Sequence, residues 1–220
     1  MIQLIAFLGN YGREYENTRH NAAWLFASSL PFYSRLNWSS RYKSDFCAVD
    51  YADVVKWMAD CGLLKPRGDG SLPVPENAPS RIIFQKPMTY MNLSGDAIGE
   101  AARFYKIKPE EILVVHDEIE LPAGTVSLKF GGGLGGHNGL RSAKAVLGTA
   151  DFWRLRFGLG KPANVNVADY VLGSFTADER IILSQVFPQA AELFAKVLTA
   201  KDAQRLIPEW GKKKLVAEVK

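Results

Sequence analysis

Short apolar runs alternate along the chain with stretches whose apolar residues recur at helical spacing. Strands are predicted at residues 2–8, 81–85, 112–115, 125–130 and 154–160. Helices are predicted at residues 21–30, 96–105 and 138–147. Because strands alternate with helices, we expect an α/β fold: a single-domain three-layer sandwich whose twisted mixed, mostly parallel sheet is flanked by helices.

Several weaker patterns complete this prediction. Residues 46–59 contain two apolar alternations, typical of a hairpin or meander. In the helix at 96–105 we expect the side chains of Ala97, Ala101, Ala102 and Phe104 to face inward. Thr176 and Glu179 form a capping box that opens a helical region, which Pro188 should start, kink or interrupt.

Two segments are expected to lie outside the packed core of the single domain, residues 1–220. Residues 61–80 concentrate glycine, proline and polar residues, which predicts an exposed excursion. Residues 208–220 form a basic C-terminal tail with three consecutive lysines at 212–214. Such a charge run usually marks a solvated surface, although contact with RNA is the alternative.

Composition excludes several classes of protein. The chain has two cysteines without metal-site spacing, which excludes a disulfide scaffold and indicates reduced thiols. Its start lacks the basic region and cleavage site of a secretory leader, and no apolar run approaches about 20 residues, so we expect a cytoplasmic protein with no membrane partner. The net charge of +4 and pI near 9.0 modestly favour an anionic partner.

The stretch 113–140 carries the densest chemistry. His116, Asp117 and Glu118 follow an apolar strand, where the edge of a sheet is expected. Five glycines within 131–136 then remove side chains from the approach to His137 and Asn138, which indicates room for a bulky ligand. The glycine run lacks both nucleotide-binding frames, so no nucleotide cofactor is expected.

A set of candidate site residues lies beside predicted turns and helix starts: Asn10, His20, Asn92, Asp117 and Asn138. A carboxylate that accepts from one imidazole nitrogen would make His20 a better base, and Asp117 is the candidate partner. The alternatives are that His20 caps a helix, that Asp117 forms an Asx turn and that the asparagines are N-caps. His137 is equally a structural residue or a ligand, and Ser94 is more typical of a helix cap than of a nucleophile because its flanks are not G-x-S-x-G.

Five motifs occur together, in order and at consistent spacing: FLGNYGREYENTRHNAAW, KPMTYMNLSG, VVHDEIELPAG, GGGLGGHNGLRS and RLRFGLGKP. In these motifs the chain resembles the bacterial-type peptidyl-tRNA hydrolases. The resemblance covers most of residues 2–162, while residues 61–80 and the C-terminal tail match poorly.

The resemblance implies hydrolysis of the ester bond between a peptide and the 3′ end of tRNA, without metal or cofactor. It implies that His20 is the catalytic base, that Asp117 orients it, and that Asn10, Asn92 and Asn138 contact the peptide and the ester carbonyl. Of these amides, Asn10 is the leading candidate to stabilise the carbonyl oxygen. Tyr15 and Met91 match residues that line the cleft, and Lys129 and Arg156 match a pair that grips the tRNA phosphate.

One position departs from the family pattern. The family has proline after the first asparagine, in a GNPG turn, where this chain has Tyr11. We expect this change to affect the turn that aims Asn10.

Two rival functions stay open at this stage: an RNA-binding relative without activity, and an esterase or amidohydrolase for small N-acyl substrates. The intact set of histidine, aspartate and asparagines argues against the first. For the expected enzyme, the partner is the acceptor end and phosphate backbone of peptidyl-tRNA, bound by a monomer.

Overall fold

The computed structural model describes residues 1–161 and 165–216, and these contain one eight-stranded mixed sheet. Its strands are β1 (Leu4–Phe7), β2 (Ser39–Arg41), β3 (Ser44–Asp50), β4 (Arg81–Pro87), β5 (Ile112–Glu118), β6 (Thr125–Phe130), β7 (Trp153–Gly158) and β8 (Lys213–Lys214). They lie in the order β2-β3-β4-β1-β5-β7-β6-β8. The four central strands, β4, β1, β5 and β7, pair in parallel, and the outer strands pair antiparallel.

Helices cover both faces of this sheet. They are α1 (Ala22–Ser29), α2 (Tyr51–Asp60), α3 (Ser94–Tyr105), α4 (Asn138–Leu147), α5 (Val167–Leu172), α6 (Ala177–Thr199) and α7 (Ile207–Trp210). Side chains of β5 alternate between two cores: Leu113 and Val115 pack with α1, α2 and α6, and Ile112 and Val114 pack with α3 and α4. The predicted α/β fold with three layers is therefore confirmed.

The predicted hairpin at 46–59 is wrong in its second half. The chain forms β3 and then turns directly into α2. Tyr51, Val54, Val55 and Met58 lie at positions i, i+3, i+4 and i+7 and are all buried, which is the spacing of one helix face. The hairpin partner of β3 is β2, which precedes it.

Two details of the predicted helices also differ. Phe104 is 66% exposed because it lies off the buried stripe of α3 formed by Ala97, Ala101 and Ala102. Pro188 neither starts nor ends a helix, since α6 continues through it. Buried residues on both sides of the proline, including Val186 and Ala190, anchor the helix to the core.

Residues 61–80 contain no helix or strand, as expected for the excursion, and many of their side chains are exposed. Its leucines behave differently, because Leu63, Leu64 and Leu72 are partly buried against the larger core. The excursion is thus tied to the protein by apolar contacts. The extent of the single domain stays a prediction.

The basic tail is docked over the part that is described. It contains most of α7 and all of β8, which pairs with β6. Lys213 bonds to Glu209 over 2.7 Å, and its ammonium lies 4.0 Å from the ring centroid of the buried Trp210. Residues 217–220 of the predicted tail lie outside the described residues.

Helix α6 has a property that the apolar runs did not predict. With 23 residues it is long and apolar enough, by length and composition, to cross a membrane. More than half of its most apolar window is buried inside the protein. Phe187 and Phe194, both from α6, pack against Phe26 of α1. This apolar character therefore serves the core.

We predict that Phe26→Ala lowers the free energy of unfolding by about 3–5 kcal/mol, because it removes a buried ring and leaves a cavity. The Phe26 ring centroid lies 4.9 Å from that of Phe157 and within 6 Å of those of Phe187 and Phe194. Urea unfolding measures the change. The control Phe104→Ala, at an exposed ring, should cost less than about 1 kcal/mol. Equal losses in both variants would contradict this account of the core.

Candidate active site

A cavity of about 500 Å³ opens at the carboxyl ends of the central parallel strands. It is lined by Asn10, Tyr15, His20, Tyr90, Met91, Asn92, Asp117, Glu118, Ile119, Gly135, Gly136, His137, Asn138, Val167, Ala168, Val171 and Leu172. Seven of the nine site residues expected from the sequence are in this set. Lys129 and Arg156 are not.

The contact between His20 and Asp117 lies in this cavity lining. His20 Nδ1 and Asp117 Oδ1 are 2.9 Å apart, although 97 residues separate them in sequence. His20 lies in the 3-10 turn Arg19–Asn21, which makes no side-chain cap, and Asp117 lies inside β5 instead of in a turn. The helix-cap and Asx-turn alternatives therefore do not describe these two residues.

The hydrogen bond sets the chemistry of His20. Nδ1 donates its proton to the Asp117 carboxylate, which leaves Nε2 as the unprotonated nitrogen. Burial by itself lowers the pKa of His20, but the charge and hydrogen bond of Asp117 outweigh burial, so the pKa is raised above 6.5. Burial opposes ionisation of Asp117, yet the nearby imidazoles of His20 and His137 lower its pKa. The pair is thus an imidazole base held by a buried carboxylate.

His137 is a second partner of Asp117 that the sequence patterns did not assign. Its Nδ1 accepts from the backbone N–H groups of Gly139 (3.1 Å) and Leu140 (3.4 Å), so it is the N-cap of α4. Its proton therefore lies on Nε2, which donates to the same Asp117 Oδ1 over 3.1 Å. Its position directly after the glycine run was the available signal. Of the two roles that the sequence left open for His137, the structure shows the structural one, and the ligand role stays a prediction.

His20, Asp117 and His137 are also residue types that bind metal ions, and their ligand atoms lie within 4.8 Å of one another. A metal between these residues would need an unprotonated His137 Nε2. The two α4 amides donate to Nδ1, so Nδ1 is the unprotonated nitrogen and Nε2 carries the proton. The hydrogen bonding therefore favours a proton-sharing network over a metal centre.

His116 lies next to Asp117 but on the opposite side of β5. It is fully buried, and its Nδ1 hydrogen-bonds the Asp117 carbonyl oxygen at 2.6 Å. Burial, together with the nearby His137, holds the pKa of His116 well below 6.5. Its ring packs edge-on against His137, with centroids 4.9 Å apart. His116 is therefore neutral and packs against His137.

Asn10 is held from two sides. Buried Asn21 clamps its backbone, because Oδ1 of Asn21 accepts from Asn10 N–H (2.8 Å) and Nδ2 donates to Asn10 C=O (2.9 Å). The Asn10 side-chain oxygen accepts from Met91 N–H over 2.8 Å, which leaves its Nδ2 group for a ligand in the cavity. Asn10 is not an N-cap, and these bonds do not involve the side chain of Tyr11.

Asn92 and Asn138 reach the cavity from two neighbouring helix starts. Asn92 lies in the 3-10 turn Met91–Leu93 before α3, and Asn138 is the first residue of α4. Neither is the N-cap of its helix, so the capping alternative is wrong for both. The helices approach closely at Gly95, where a Cβ atom would lie 2.1 Å from the backbone oxygen of Ser142. This close packing brings the two amides to one cavity.

The glycine-rich loop that ends at His137 is anchored by a buried arginine. Arg154 of β7 is 1% exposed, and its guanidinium donates to the carbonyl oxygens of Gly133 (2.6 Å) and Gly132 (2.9 Å). Gly131 and Gly132 have positive φ angles of 59° and 81°, which side chains rarely adopt. Arg154 therefore holds the loop that leads to His137 in place.

Lys129 and Arg156 lie on β6 and β7, beside the cavity lining. Arg156 is paired with Glu118 (3.4 Å) and donates to Ser127 Oγ (2.6 Å). Burial, with Arg156 and Arg154 nearby, lowers the pKa of Lys129. Glu118, which also lines the cavity, was not assigned from the sequence. Glu118 therefore connects the cavity to the basic cluster, which consists of Lys129, Arg154 and Arg156.

A second network anchors the turn that carries His20. The Arg19 guanidinium makes two 2.8 Å bonds to the Glu179 carboxylate, donates to Tyr170 C=O and lies 4.3 Å from the Tyr170 ring centroid. Arg19 N–H also donates to Gly173 C=O. The His20 turn is therefore joined to α5, which lines the cavity, and to the start of α6. No sequence pattern indicated this pairing, because 160 residues separate its charges.

Comparison with known proteins gives matches over nearly the whole chain. The family model described as peptidyl-tRNA hydrolase matches residues 4–216. A peptidyl-tRNA hydrolase of Treponema pallidum is 43% identical over 220 residues and 98% of each chain, and one of Neisseria gonorrhoeae is 38% identical over 91% of this chain and 92% of its own. The crystal structure of peptidyl-tRNA hydrolase from Acinetobacter baumannii has a TM-score of 0.71 at 31% identity, and the match covers 94% of this chain and 91% of that one.

We predict that Glu179→Gln lowers the free energy of unfolding by about 2 kcal/mol at pH 7, since it leaves the largely buried Arg19 without its charged partner. Burial by itself raises the pKa of Glu179. The contacts with Arg19 and Thr176 outweigh burial, so the pKa of Glu179 lies below 4.5 in the folded protein. The carboxylate therefore stabilises the fold above pH 4.5, and its contribution is lost as pH falls through the lowered folded-state pKa. The difference between wild type and variant should shrink over that range.

Urea unfolding at several pH values measures this difference. Glu192→Gln is the matched control, because it makes the same change at an exposed position of α6. A loss at pH 7 no larger than that of the control would show that the Arg19 pair does not anchor the turn.

Proposed function

Since this chain belongs to the peptidyl-tRNA hydrolase family, we propose that His20 and Asp117 perform its reaction, hydrolysis of the ester bond between a peptide and the 3′ end of tRNA. The observation that carries this assignment is the 2.9 Å contact between His20 and Asp117 in the cavity lining. An oriented imidazole with a free nitrogen is what activation of water requires. Free peptide and reusable tRNA are the products.

The proposed mechanism has two proton transfers. His20 Nε2 removes a proton from a water molecule as its oxygen attacks the ester carbonyl carbon. The bond from that carbon to the tRNA 3′ oxygen then breaks, and the imidazolium returns the proton to the departing oxygen. Asp117 stabilises the imidazolium between these steps. His137 supports Asp117 by donating to the same oxygen, Oδ1.

Negative charge on the carbonyl oxygen needs a donor during this reaction. The Asn10 amide is suited to this role, because the Met91 N–H occupies its oxygen and leaves Nδ2 as the donor. Asn10 is only 5% exposed, so its amide would act in a site with restricted access to water. A donor of this kind contributes a factor of about 100 or more in rate.

Recognition of the peptide is assigned to the other amides of the cavity. Asn92 and Asn138 can donate to and accept from the first peptide unit, which an aminoacyl group with a charged amine cannot match. Tyr15 and Met91 complete the lining near the ester. This chemistry favours peptidyl-tRNA over aminoacyl-tRNA.

The tRNA phosphate is assigned to Lys129 and Arg156. Within the residues described, the Lys129 ammonium makes no hydrogen bond or ion pair, and Glu118 is the carboxylate paired with Arg156. Lys129, Arg154 and Arg156 carry three positive charges beside this one carboxylate, which favours an anionic ligand. Phosphate contacts of this kind position tRNA without reading its sequence.

We expect the chain to act as a monomer in the cytoplasm, without metal or cofactor, on peptidyl-tRNA produced during translation and ribosome rescue. The rival small-substrate esterase would not need the basic cluster. The other rival, an RNA-binding relative without activity, would not need a histidine base whose tautomer is fixed by a carboxylate.

We predict that His20→Ala abolishes measurable turnover while tRNA binding is kept. Asp117→Asn should lower kcat by about 10²–10⁴-fold, because it removes the charge that orients and stabilises the imidazolium. In the wild type, kcat/KM should rise with pH, because only neutral His20 accepts a proton. The midpoint of this rise should lie above pH 6.5, because the pKa of His20 is raised. In Asp117→Asn this midpoint should move to lower pH.

Hydrolysis of N-acetyl-aminoacyl-tRNA across pH 5–9 is the measurement, and Asp53→Asn, an exposed position on α2, is the control. A near-normal rate in His20→Ala would remove the base assignment. An unmoved midpoint in Asp117→Asn would remove the orienting role of the carboxylate.

We predict that Lys129→Ala raises KM for N-acetyl-aminoacyl-tRNA and flattens its dependence on salt, because one phosphate contact is lost. Hydrolysis of a small N-acyl ester should not change. Arg156→Ala is a less clean variant, since it also leaves Glu118 unpaired. Lys56→Ala, at an exposed lysine of α2, is the control. Equal salt slopes for wild type and Lys129→Ala would exclude Lys129 from phosphate binding.

A further inference from the structure

Two exposed tyrosines lie side by side at the rim of the active-site cavity. Tyr11 is 40% exposed and Tyr90 is 48% exposed, and their ring centroids are 5.0 Å apart at an interplanar angle of 42°. Tyr90 lines the cavity, and Tyr11 directly follows the cavity residue Asn10. Tyr11 is also the residue that departs from the GNPG turn. The mechanism proposed above uses neither ring.

The turns that carry this tyrosine pair are fastened to each other. The Asn10 side chain accepts from Met91 N–H at 2.8 Å, so the residue before Tyr11 is bonded to the residue after Tyr90. Asn21 fixes the Asn10 backbone from the other side. These buried hydrogen bonds therefore fix the two backbone segments from which the rings project, and the rings contact each other at the rim of the cavity.

The charge around the tyrosine pair selects the kind of ligand. The Glu14 carboxylate lies against Gly12, the residue after Tyr11. The pKa of Tyr90 is raised, chiefly by the Tyr11 phenol and to a smaller extent by Glu14. A carboxylate at this rim disfavours phosphate, and aromatic faces favour a neutral, planar partner. Nucleobases are such partners, and single-stranded nucleic acid ends are held by stacking of this kind.

The ester to be cut joins the peptide to a terminal adenosine, so an adenine lies within one ribose of the reacting carbon. The cavity wall on α5 is aliphatic, with Val167 and Leu172 more than 40% exposed, and suits peptide side chains. We propose that the Tyr11–Tyr90 pair is the subsite on which the 3′-terminal adenine of the tRNA stacks. This inference rests on the proposed ester hydrolysis at His20.

The test compares two small esters that differ only in the base. One is the 3′-O-(N-acetylglycyl) ester of adenosine, and the other is the same ester of methyl riboside, which has no base. Stacking of one base should favour the adenosine ester by about 10-fold in kcat/KM in the wild type. Tyr11→Ala and Tyr11→Pro should each bring this ratio close to one. Tyr11→Phe, which keeps the ring, should retain the wild-type ratio.

Phe104→Ala is the control, because it removes an exposed ring that does not line the cavity. Thermal melting of each variant checks that the fold is intact. An unchanged ratio in Tyr11→Ala would overturn the proposal, and so would an equal fall of kcat/KM for both esters, which would indicate that Tyr11 acts on the turn or the acyl group. If the wild type cleaved neither these esters nor N-acetyl-aminoacyl-tRNA, the proposed function itself would fail.

Discussion

The site depends on one buried carboxylate. Asp117 is 2% exposed, and an ionised group at that depth is stable only if donors satisfy it. His20 and His137 both donate to Oδ1, which keeps the charge and fixes the tautomer of each imidazole. The arrangement leaves one ring nitrogen of His20 free to act as a base. The same contact therefore satisfies the buried charge and orients the imidazole that we propose as the base.

Each partner of Asp117 is held by an anchor of its own. The His20 turn is tied to α5 and α6 through Arg19 and Glu179, and the His137 loop is tied to β7 through the guanidinium of Arg154. Both anchors use arginine, whose planar fork can bind two acceptors at once. Since the anchors belong to different parts of the chain, the complete site requires the folded sheet together with its helices.

Binding and chemistry are assigned to neighbouring surfaces around this centre. The amides of Asn10, Asn92 and Asn138 come from the turn after β1 and from the starts of two neighbouring helices, which meet at the ends of the parallel strands. The basic cluster begins where Glu118, which lines the cavity, bonds to Arg156. Peptide, ester and phosphate can thus be held by separate groups, each suited to the chemistry of its part of the substrate.

By itself, the sequence determined the periodic elements, the α/β fold and, through its motifs, the family and seven cavity residues. These follow from local spacing, because burial of one face imposes the period of a strand or a helix. The helix at α2 was missed where two short alternations were also consistent with strand spacing. Only the tertiary structure decided that His137 shares the Asp117 oxygen, that Arg19 pairs with Glu179 and that Tyr11 meets Tyr90. Those contacts join residues 20, 160 and 79 positions apart, and such distances in sequence are closed by packing of the core, which no local pattern encodes.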